Sequence, residues 1–410
     1  MSNDNGLQQT RPVLIVGAGP IGLTAALALG SKGIPVTILE AEHQGRIRPG
    51  SRAIYFHKAT MAHLEEISPG LGFTYARNGI VWPVKRTLFG GQEVYVKQYP
   101  APHPNELPPF ASLPQVEAER FLYNACLEMG VEFIWDAPVM DVQTRENGVI
   151  VTTRGGIEWT ADYVIGADGA RSVVRKAVGI EFEGPRSNDF FLVVDVLEDP
   201  DDPLPLERVF HYKHPALGGR NVLFVPFAGG WRVDLQLLEG DDPDEFGGVE
   251  GVRKWLPKVM HEKYADRISW VSMYQFHQVV ANTFTDPYGR VLLAGEAAHL
   301  FAPFGARGMN SGVPDAILAA HAIHEALNAP DSDTAKRAIL AAAEERRIAA
   351  LYNRDCAGIA LEHIQGNSPA MSMKREVAAS LSPIIPRLGR WLDEGPYGPK
   401  SGPPQLTTKY

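Results

Sequence analysis

The sequence predicts an α/β protein. A Rossmann-like dinucleotide-binding domain is assembled from discontinuous segments, with an inserted β-sheet domain and helices toward the C-terminal end. Three observations predict this. Gly17-Ala18-Gly19-Pro20-Ile21-Gly22 follows a short apolar strand (13–16) and opens a helix rich in Ala and Leu. Two more glycine-and-acid segments, at 166–172 and 295–299, each close an apolar strand. Between these two, the pattern changes to strands separated by Pro, Gly and Asp clusters.

The chain of 410 residues suggests about two or three domains. Apolar residues make up 45 % against 21 % charged, enough to bury a sizeable core and too many for a disordered chain. The net charge of −9, with no polybasic run, argues against a nucleic-acid partner. Two cysteines, Cys126 and Cys356, cannot build a disulfide framework or a zinc knuckle. Both fall in helix-like stretches and are expected to pack inertly, and no metal site is expected. Residues 1–12 are polar and lack the pattern of a secretion signal. No run approaches the ~18 apolar residues of a membrane span. A cytoplasmic protein without a membrane partner is the expectation.

The elements follow in order. After the helix 23–30, Gly33 and Pro35 break the chain, and the strand 36–39 ends at Glu40, completing a βαβ unit. Residues 41–51 read as a loop and 52–66 as a helix. Strand-like alternation marks 93–98. A helix at 115–129 leads to a strand at 131–134, hairpin segments over 139–161 and a strand at 163–166. Strands are expected at 191–197, 209–212, 221–227 and 231–238, one helix at 249–261 and one strand at 269–280. A strand at 290–294 precedes two long helices, 313–328 and 334–364, and the last thirty residues read as an extended tail. The expected division is 1–83, 110–182 and 285–365 for the dinucleotide domain. The sheet domain takes 84–109 and 183–284, and a C-terminal extension takes 366–410.

The first motif has a mechanical reading. Gly17 permits the tight turn, Gly19 lets backbone approach a pyrophosphate, and Gly22 lets the helix pack closely on the strand. The helix start, with Pro20 and Ile21, offers free N–H groups to the phosphates. Glu40 lies where a carboxylate can accept from an adenosine ribose. This motif alone does not decide between NAD and FAD.

Taken with the other two segments, the chain resembles the FAD-dependent aromatic monooxygenases of the para-hydroxybenzoate hydroxylase type. The resemblance rests on Gly17–Gly22 with Glu40, on Ile165-Gly166-Ala167-Asp168-Gly169-Ala170-Arg171-Ser172, and on Gly295-Glu296-Ala297-Ala298-His299. Pro303, Gly305, Gly308, Met309, Asn310, Gly312 and Asp315 follow the third segment in step, and Ser51-Arg52-Ala53 and Gln115 with Glu119 also match.

The resemblance implies FAD as cofactor, held by Gly17, Gly19, Pro20, Ile21, Gly22, Glu40, Arg52, Gln115, Asp168, Glu296, Gly308, Met309 and Asn310. It implies NADH or NADPH as a transient reductant and O2 as co-substrate. Oxygen would pass from a flavin C4a-hydroperoxide to an aromatic or heteroaromatic small molecule, with Pro303 presenting backbone beside the flavin. The family usually carries Asp where this chain has Glu296, which puts the detailed flavin geometry in question. The loop 41–51 would be a gate for flavin motion. The inserted sheet would roof the flavin, with Trp231, Val233 and Leu235 on one face and Arg232, Asp234 and Gln236 on the other. His211 or Tyr212 are candidates for the base that deprotonates a phenol; Arg220 and His214 are further polar candidates, and His299 reads as packing. A homodimer is compatible with this reading. Rival readings are a related FAD enzyme catalysing Baeyer–Villiger oxygenation, oxidative decarboxylation or dehydrogenation, and a binding protein of this fold that has lost its cofactor.

Overall fold

The computed structural model describes residues 9–46 and 49–399, and for 9–10 and 186–189 the backbone alone. A first sheet has seven strands. Its path runs Glu132–Ile134, Val36–Leu39, Gln9–Val16, Ile157–Gly166, Gly148–Thr153 and Val139–Arg145, and Val291–Leu293 pairs beside Ile157–Gly166. The strands at the centre run parallel. Parallel strands are covered on both faces, which explains the unbroken apolar run Val13-Leu14-Ile15, wholly excluded from solvent. Helix Pro20–Gly30 supplies the cover with Leu23, Ala25, Ala26, Leu27 and Leu29, and the long helix Arg307–Leu327 packs against it.

The second sheet also has seven strands. Its order is Ile268–His277, Arg186–Leu197, Gly230–Gln236, Arg220–Phe227, Glu207–His214, Val84–Phe89 and Gln92–Gln98. Its outer face buries Leu192, Val194, Val222, Trp231, Val233 and Leu235 under helix Val249–Trp255 and the turns that follow it. Its inner face meets the rest of the molecule. Val225 and Phe227 pack with Ile54, Trp82 and Phe110, while Phe191, Phe210 and Tyr212 pack with the C-terminal helices.

Several expectations need correction. The stretch 52–66 is not one helix: Tyr55–His57 is a strand paired with Phe110–Ser112, and the helix begins at Lys58. The stretch 249–261 breaks at Trp255 because Pro257 cannot donate to the helix. The strand expected at 269–280 divides into Ile268–His277 and Val279–Ala281. The C-terminal region does not simply trail away. Helices Pro369–Leu381 and Pro386–Glu394 pack onto the body, and a proline at each helix start is tolerated because its missing N–H would be unpaired there. Residues 400–410 of the expected tail lie outside the described residues. Cys126 and Cys356 are both buried, and burial pushes the Cys126 thiol well up, as inert packing requires. No helix among the described residues is long and apolar enough to cross a membrane.

Candidate cofactor and substrate site

The three glycine-and-acid segments meet because of strand register. Val16 stands beside Gly166, and Gly166 beside Leu293. Three parallel strands therefore end at one level, and the turns that follow them lie side by side. Backbone bonds continue the alignment: Ala167 N–H donates to Val16 at 2.9 Å and Ala294 N–H to Gly166 at 3.0 Å. The packing leaves no room for side chains. A β-carbon at Gly17, where φ is +102°, would lie 2.5 Å from the Ala167 carbonyl oxygen, and one at Gly22 would collide with the Gly17 carbonyl. Ile21 fills the space over Gly295 and Gly312.

Acidic groups are arranged around this cradle. Glu40 is 3 % exposed; Oε2 accepts from Ala18 N–H at 2.6 Å and Oε1 from Glu42 N–H at 3.0 Å. Asp168 Oδ2 accepts from the Val173 and Val174 amides at 2.7 and 3.1 Å, while Oδ1 is buried without a hydrogen-bond partner among the described residues. Burial raises the Asp168 pKa. Glu296 is exposed in the turn Gly295–Ala297. An acceptor left open beside a glycine turn fits a polyhydroxylated dinucleotide, whose hydroxyls are donors. The residues present therefore fit FAD.

The helix Arg307–Leu327 starts close by, after Ala306 in a left-handed conformation (φ +55°). The amides of Arg307, Gly308 and Met309 fall in its first turn and have no acceptor within the helix. The Asn310 amide is committed to the first helical hydrogen bond, so Asn310 contributes differently from its neighbours. Its side chain accepts from His57 N–H at 3.0 Å and donates to the Tyr55 carbonyl at 2.8 Å, tying the helix start to the strand Tyr55–His57. Pro303 is exposed, and its carbonyl accepts from Ala306 N–H at 2.9 Å, closing the turn before the helix.

The end of the loop 41–51 is clamped to the second sheet. Asp195, buried on the inner face, accepts from Ser51 N–H at 2.6 Å and Ser51 Oγ at 2.7 Å. Arg232 Nη2 donates to the same hydroxyl at 2.5 Å. The chain then turns through Arg52, exposed and with φ +48°, and Gln115 Oε1 accepts from Ala53 N–H at 3.2 Å. Left-handed backbone at a non-glycine residue costs on the order of 1 kcal/mol or more and persists where neighbours over-determine it. Asp234 lies behind Arg232, with Oδ1 3.9 Å from Nε; burial pushes its carboxyl up to about 7. At the other end of the loop, Arg46 pairs with Glu40 at 3.1 Å and donates to the Ala18 carbonyl at 3.0 Å. Ile47 and Arg48 lie outside the described residues.

Neither proposed base is placed for the task. His211 pairs in register with Val222, which belongs to the outer core, so its ring lies on the face opposite Ser51 and Arg232. There it borders an outer cavity of about 470 Å³ with His214 and Trp231, and Nε2 accepts from Gly91 N–H at 3.0 Å. Burial pushes the His211 pKa down to about 4. Tyr212 is on the inner face but wholly buried, its hydroxyl donating to the Leu392 carbonyl at 2.9 Å. Arg220 is ion-paired with Asp241. The expected alternation of Trp231, Val233 and Leu235 against Arg232, Asp234 and Gln236 is observed, with the polar set inward.

Aromatics from outside the second sheet, which the sequence reading passed over, pack against its inner face. Tyr55 stacks on Phe110 with centroids 4.9 Å apart, and Trp82, Tyr99 and His57 surround the pair. Burial raises the Tyr55 phenol well above its ordinary value and lowers the His57 pKa to about 4. Asp315, also unassigned, anchors the third turn. It accepts from Gly295 N–H at 3.1 Å, His299 Nε2 at 2.7 Å and Arg346 Nε at 2.7 Å. Burial alone would raise its pKa, but His299 and Arg346 hold it below the ordinary carboxylate value. His299, stacked on Phe301 at 4.4 Å, is thus a structural residue. In the sequence, the run Gly312-Val313-Pro314-Asp315 in step with the family was the signal for Asp315; nothing singled out Arg346.

The fold and the site define a flavin-binding protein. The chain belongs to the FAD binding domain family, whose pattern matches residues 10–352. Among curated proteins it is similar to para-nitrophenol 4-monooxygenase of Pseudomonas sp. (strain WBC-3), 29 % identical over 74 % of this chain and 75 % of that one. It is also similar to the dialkyldecalin synthase of Streptomyces rugosporus, 27 % identical over 74 % of this chain and 63 % of the relative. The chain therefore spans between about three-fifths and three-quarters of these relatives' lengths. Among solved structures, p-nitrophenol 4-monooxygenase PnpA from Pseudomonas putida DLL-E4 superposes with a TM-score of 0.76 at 23 % identity. That match covers 96 % of this chain and all of the other, and it shows a shared fold.

Proposed function

We propose that this protein is an FAD-dependent monooxygenase that uses NADH or NADPH and O2 to hydroxylate an aromatic or heteroaromatic small molecule. The observation that carries the reading is the register that sets Gly17–Gly22, Asp168 and Gly295–Glu296 side by side at the ends of three adjacent parallel strands. The names of the relatives support the reaction class, since para-nitrophenol 4-monooxygenase is among them.

When bound, FAD supplies the hydride acceptance and oxygen activation that no side chain offers. The residues proposed to hold it are Gly17, Gly19, Pro20, Ile21, Gly22, Glu40, Arg52, Gln115, Asp168, Glu296, Gly308 and Met309, with Asn310 bracing the helix start. Asp168 Oδ1, buried and without a hydrogen-bond partner among the described residues, would accept from a hydroxyl of the cofactor. The first-turn amides of helix Arg307–Leu327 and its positive dipole end stabilise negative charge placed before them. Pro303 opens the turn that leads into that helix and borders the arene. Trp82, Phe110 and Tyr55 exclude water from the ring that is to react. Tyr55 keeps its phenolic proton at neutral pH, so its hydroxyl can donate to a substrate oxygen.

The test is direct. The purified protein is expected to be yellow and to oxidise NADH or NADPH faster when a suitable phenol is added, with matching O2 uptake and a hydroxylated product. A colourless protein that refuses added FAD would refute the reading. A second reading is supported by the match to a dialkyldecalin synthase: an FAD protein whose reaction is not hydroxylation. A yellow protein for which no arene in a panel of phenols, pyridines and indoles raises the basal rate would favour it.

A further inference from the structure

The outer face of the second sheet, opposite Ser51 and Arg232, is not fully covered. Val222 and Val233 are wholly buried there. Leu88, Val209 and Phe224 share that face by register, yet they stay only partly buried. They floor the cavity of about 470 Å³ that His211 borders. Leu204, Val259 and Met260, from the loop and turns that cover this face, form its other wall. The volume falls within the range of small-molecule sites, about 300–1,000 Å³.

Polar groups in these walls are left open. His211 Nε2 accepts from Gly91 N–H at 3.0 Å, and burial keeps the ring uncharged at neutral pH, so Nδ1 carries the proton. That N–H has no partner among the described residues. His214 lies against His211 with ring centroids 4.2 Å apart, and its buried Nδ1 also lacks a hydrogen-bond partner among the described residues. Burial lowers the His214 pKa as well, and a neutral imidazole can present an N–H at that nitrogen. Lys258 lines the same cavity; it is exposed, and its ammonium has no carboxylate partner among the described residues. The carboxylate in the wall, Glu207, is already bonded to Arg86 at 2.9 and 3.0 Å. A partly buried donor gains from an acceptor that replaces lost water. One unmatched ammonium balances one negative charge, and a phosphate dianion would exceed it. The walls are mostly aliphatic, and Met260 can adapt to a flexible occupant.

We propose that this outer cavity binds an aliphatic monocarboxylate. Its chain lies on Leu88, Val209 and Phe224, its carboxylate meets the His211–His214 pair, and Lys258 balances its charge from the same cavity. The sheet separates this ligand from the inner face, so it is a second ligand and not the compound that is oxidised. The proposal does not rest on the monooxygenase reading.

The test follows tryptophan fluorescence of the protein as purified during titration with 8-bromooctanoate, whose bromine quenches an indole on contact, and with its uncharged methyl ester. Trp231 lines the cavity, so saturable quenching is expected. The acid should bind about fivefold or more tightly than the ester. Lys258→Glu, at an exposed position, should erase that preference, and Trp231→Phe should remove most of the quenching. Absence of saturable quenching, equal affinity for acid and ester, a preference that survives Lys258→Glu, or native-level quenching in Trp231→Phe would each overturn the proposal. If Trp231→Phe does not fold, Val259→Phe narrows the cavity from its partly exposed wall and should weaken the acid and the ester together; unchanged binding there counts against the site. No turnover is read, so a failure here and a failure of hydroxylation are separate results.

Discussion

The glycine cradle and the aromatic cleft are built by different means. In the cradle, backbone approaches backbone, and what matters is the absence of side chains at Gly17, Gly22, Gly295 and Gly312. Each segment is local: a strand end, a turn, then a helix or short cap. In the cleft, the chemistry lies in side chains drawn from far along the chain. Ser51 meets Asp195 across 144 positions, and Lys85 meets Asp393 across 308. A short motif can specify the first kind of site. The second exists only after the whole chain has closed on itself.

Substitutions can break or sharpen this contrast. The largest effect is expected from Asp393→Ala, which leaves Lys85 and Arg208 without their shared carboxylate and should cost about 3–5 kcal/mol, read from urea unfolding. Gly22→Ala places a β-carbon against the Gly17 carbonyl. It should cost about 1–3 kcal/mol and strip FAD, measured as a lower flavin-to-protein ratio and a lower Tm. If the altered protein keeps its flavin, the cradle is more pliant than the packing implies.

Asp234 gives a pH-dependent test. Its carboxyl titrates near 7 when folded and near its ordinary value of 3.8 when unfolded, so the unfolded chain loses this proton first as pH rises. Stability from this group is therefore greatest at low pH. It declines from about pH 4 to about pH 7, by up to about 1.4 kcal/mol per unit. Asp234→Asn should remove that decline, making the variant relatively more stable at pH 8 than at pH 5; a native–variant difference that is flat between pH 5 and 8 would show the carboxyl to be ionised throughout. Asp195→Asn keeps one acceptor for Ser51 but loses the charge, and should cost about 1–2 kcal/mol while weakening FAD affinity through the Arg52 turn. His211→Asn, on the outer face, should cost about 1 kcal/mol of stability and leave turnover unchanged. A large loss of turnover there would reopen the assignment of His211.

These contrasts explain what could be read in advance. The cradle was legible because glycine spacing, a preceding strand and an acid at the next strand end are all local signals. Helices such as Ser332–Gln365 were legible from periodicity. Alternation in 231–236 separates two faces, but nothing in a strand says which face its neighbours will cover; that is why His211 reads as a candidate base for the substrate when it lies behind the sheet. Tyr212 failed for a related reason: helix Pro386–Glu394, which buries it, lies in a stretch whose Pro and Gly content reads as a tail. Arg46, Arg208 and Arg346 carry no motif of their own. Each gains its role from a carboxylate or carbonyl that only the fold brings near.

The late position of Asp393 also sets an order of assembly. A ribosome makes the glycine turns and their parallel strands long before it reaches the helix that carries this carboxylate. Emerging chains can thus shape the cradle while the cleft still lacks the anion that neutralises Lys85. The Lys85–Asp393 ion pair is thus among the last contacts this polypeptide makes, and a chain trimmed before residue 393 should unfold at lower urea.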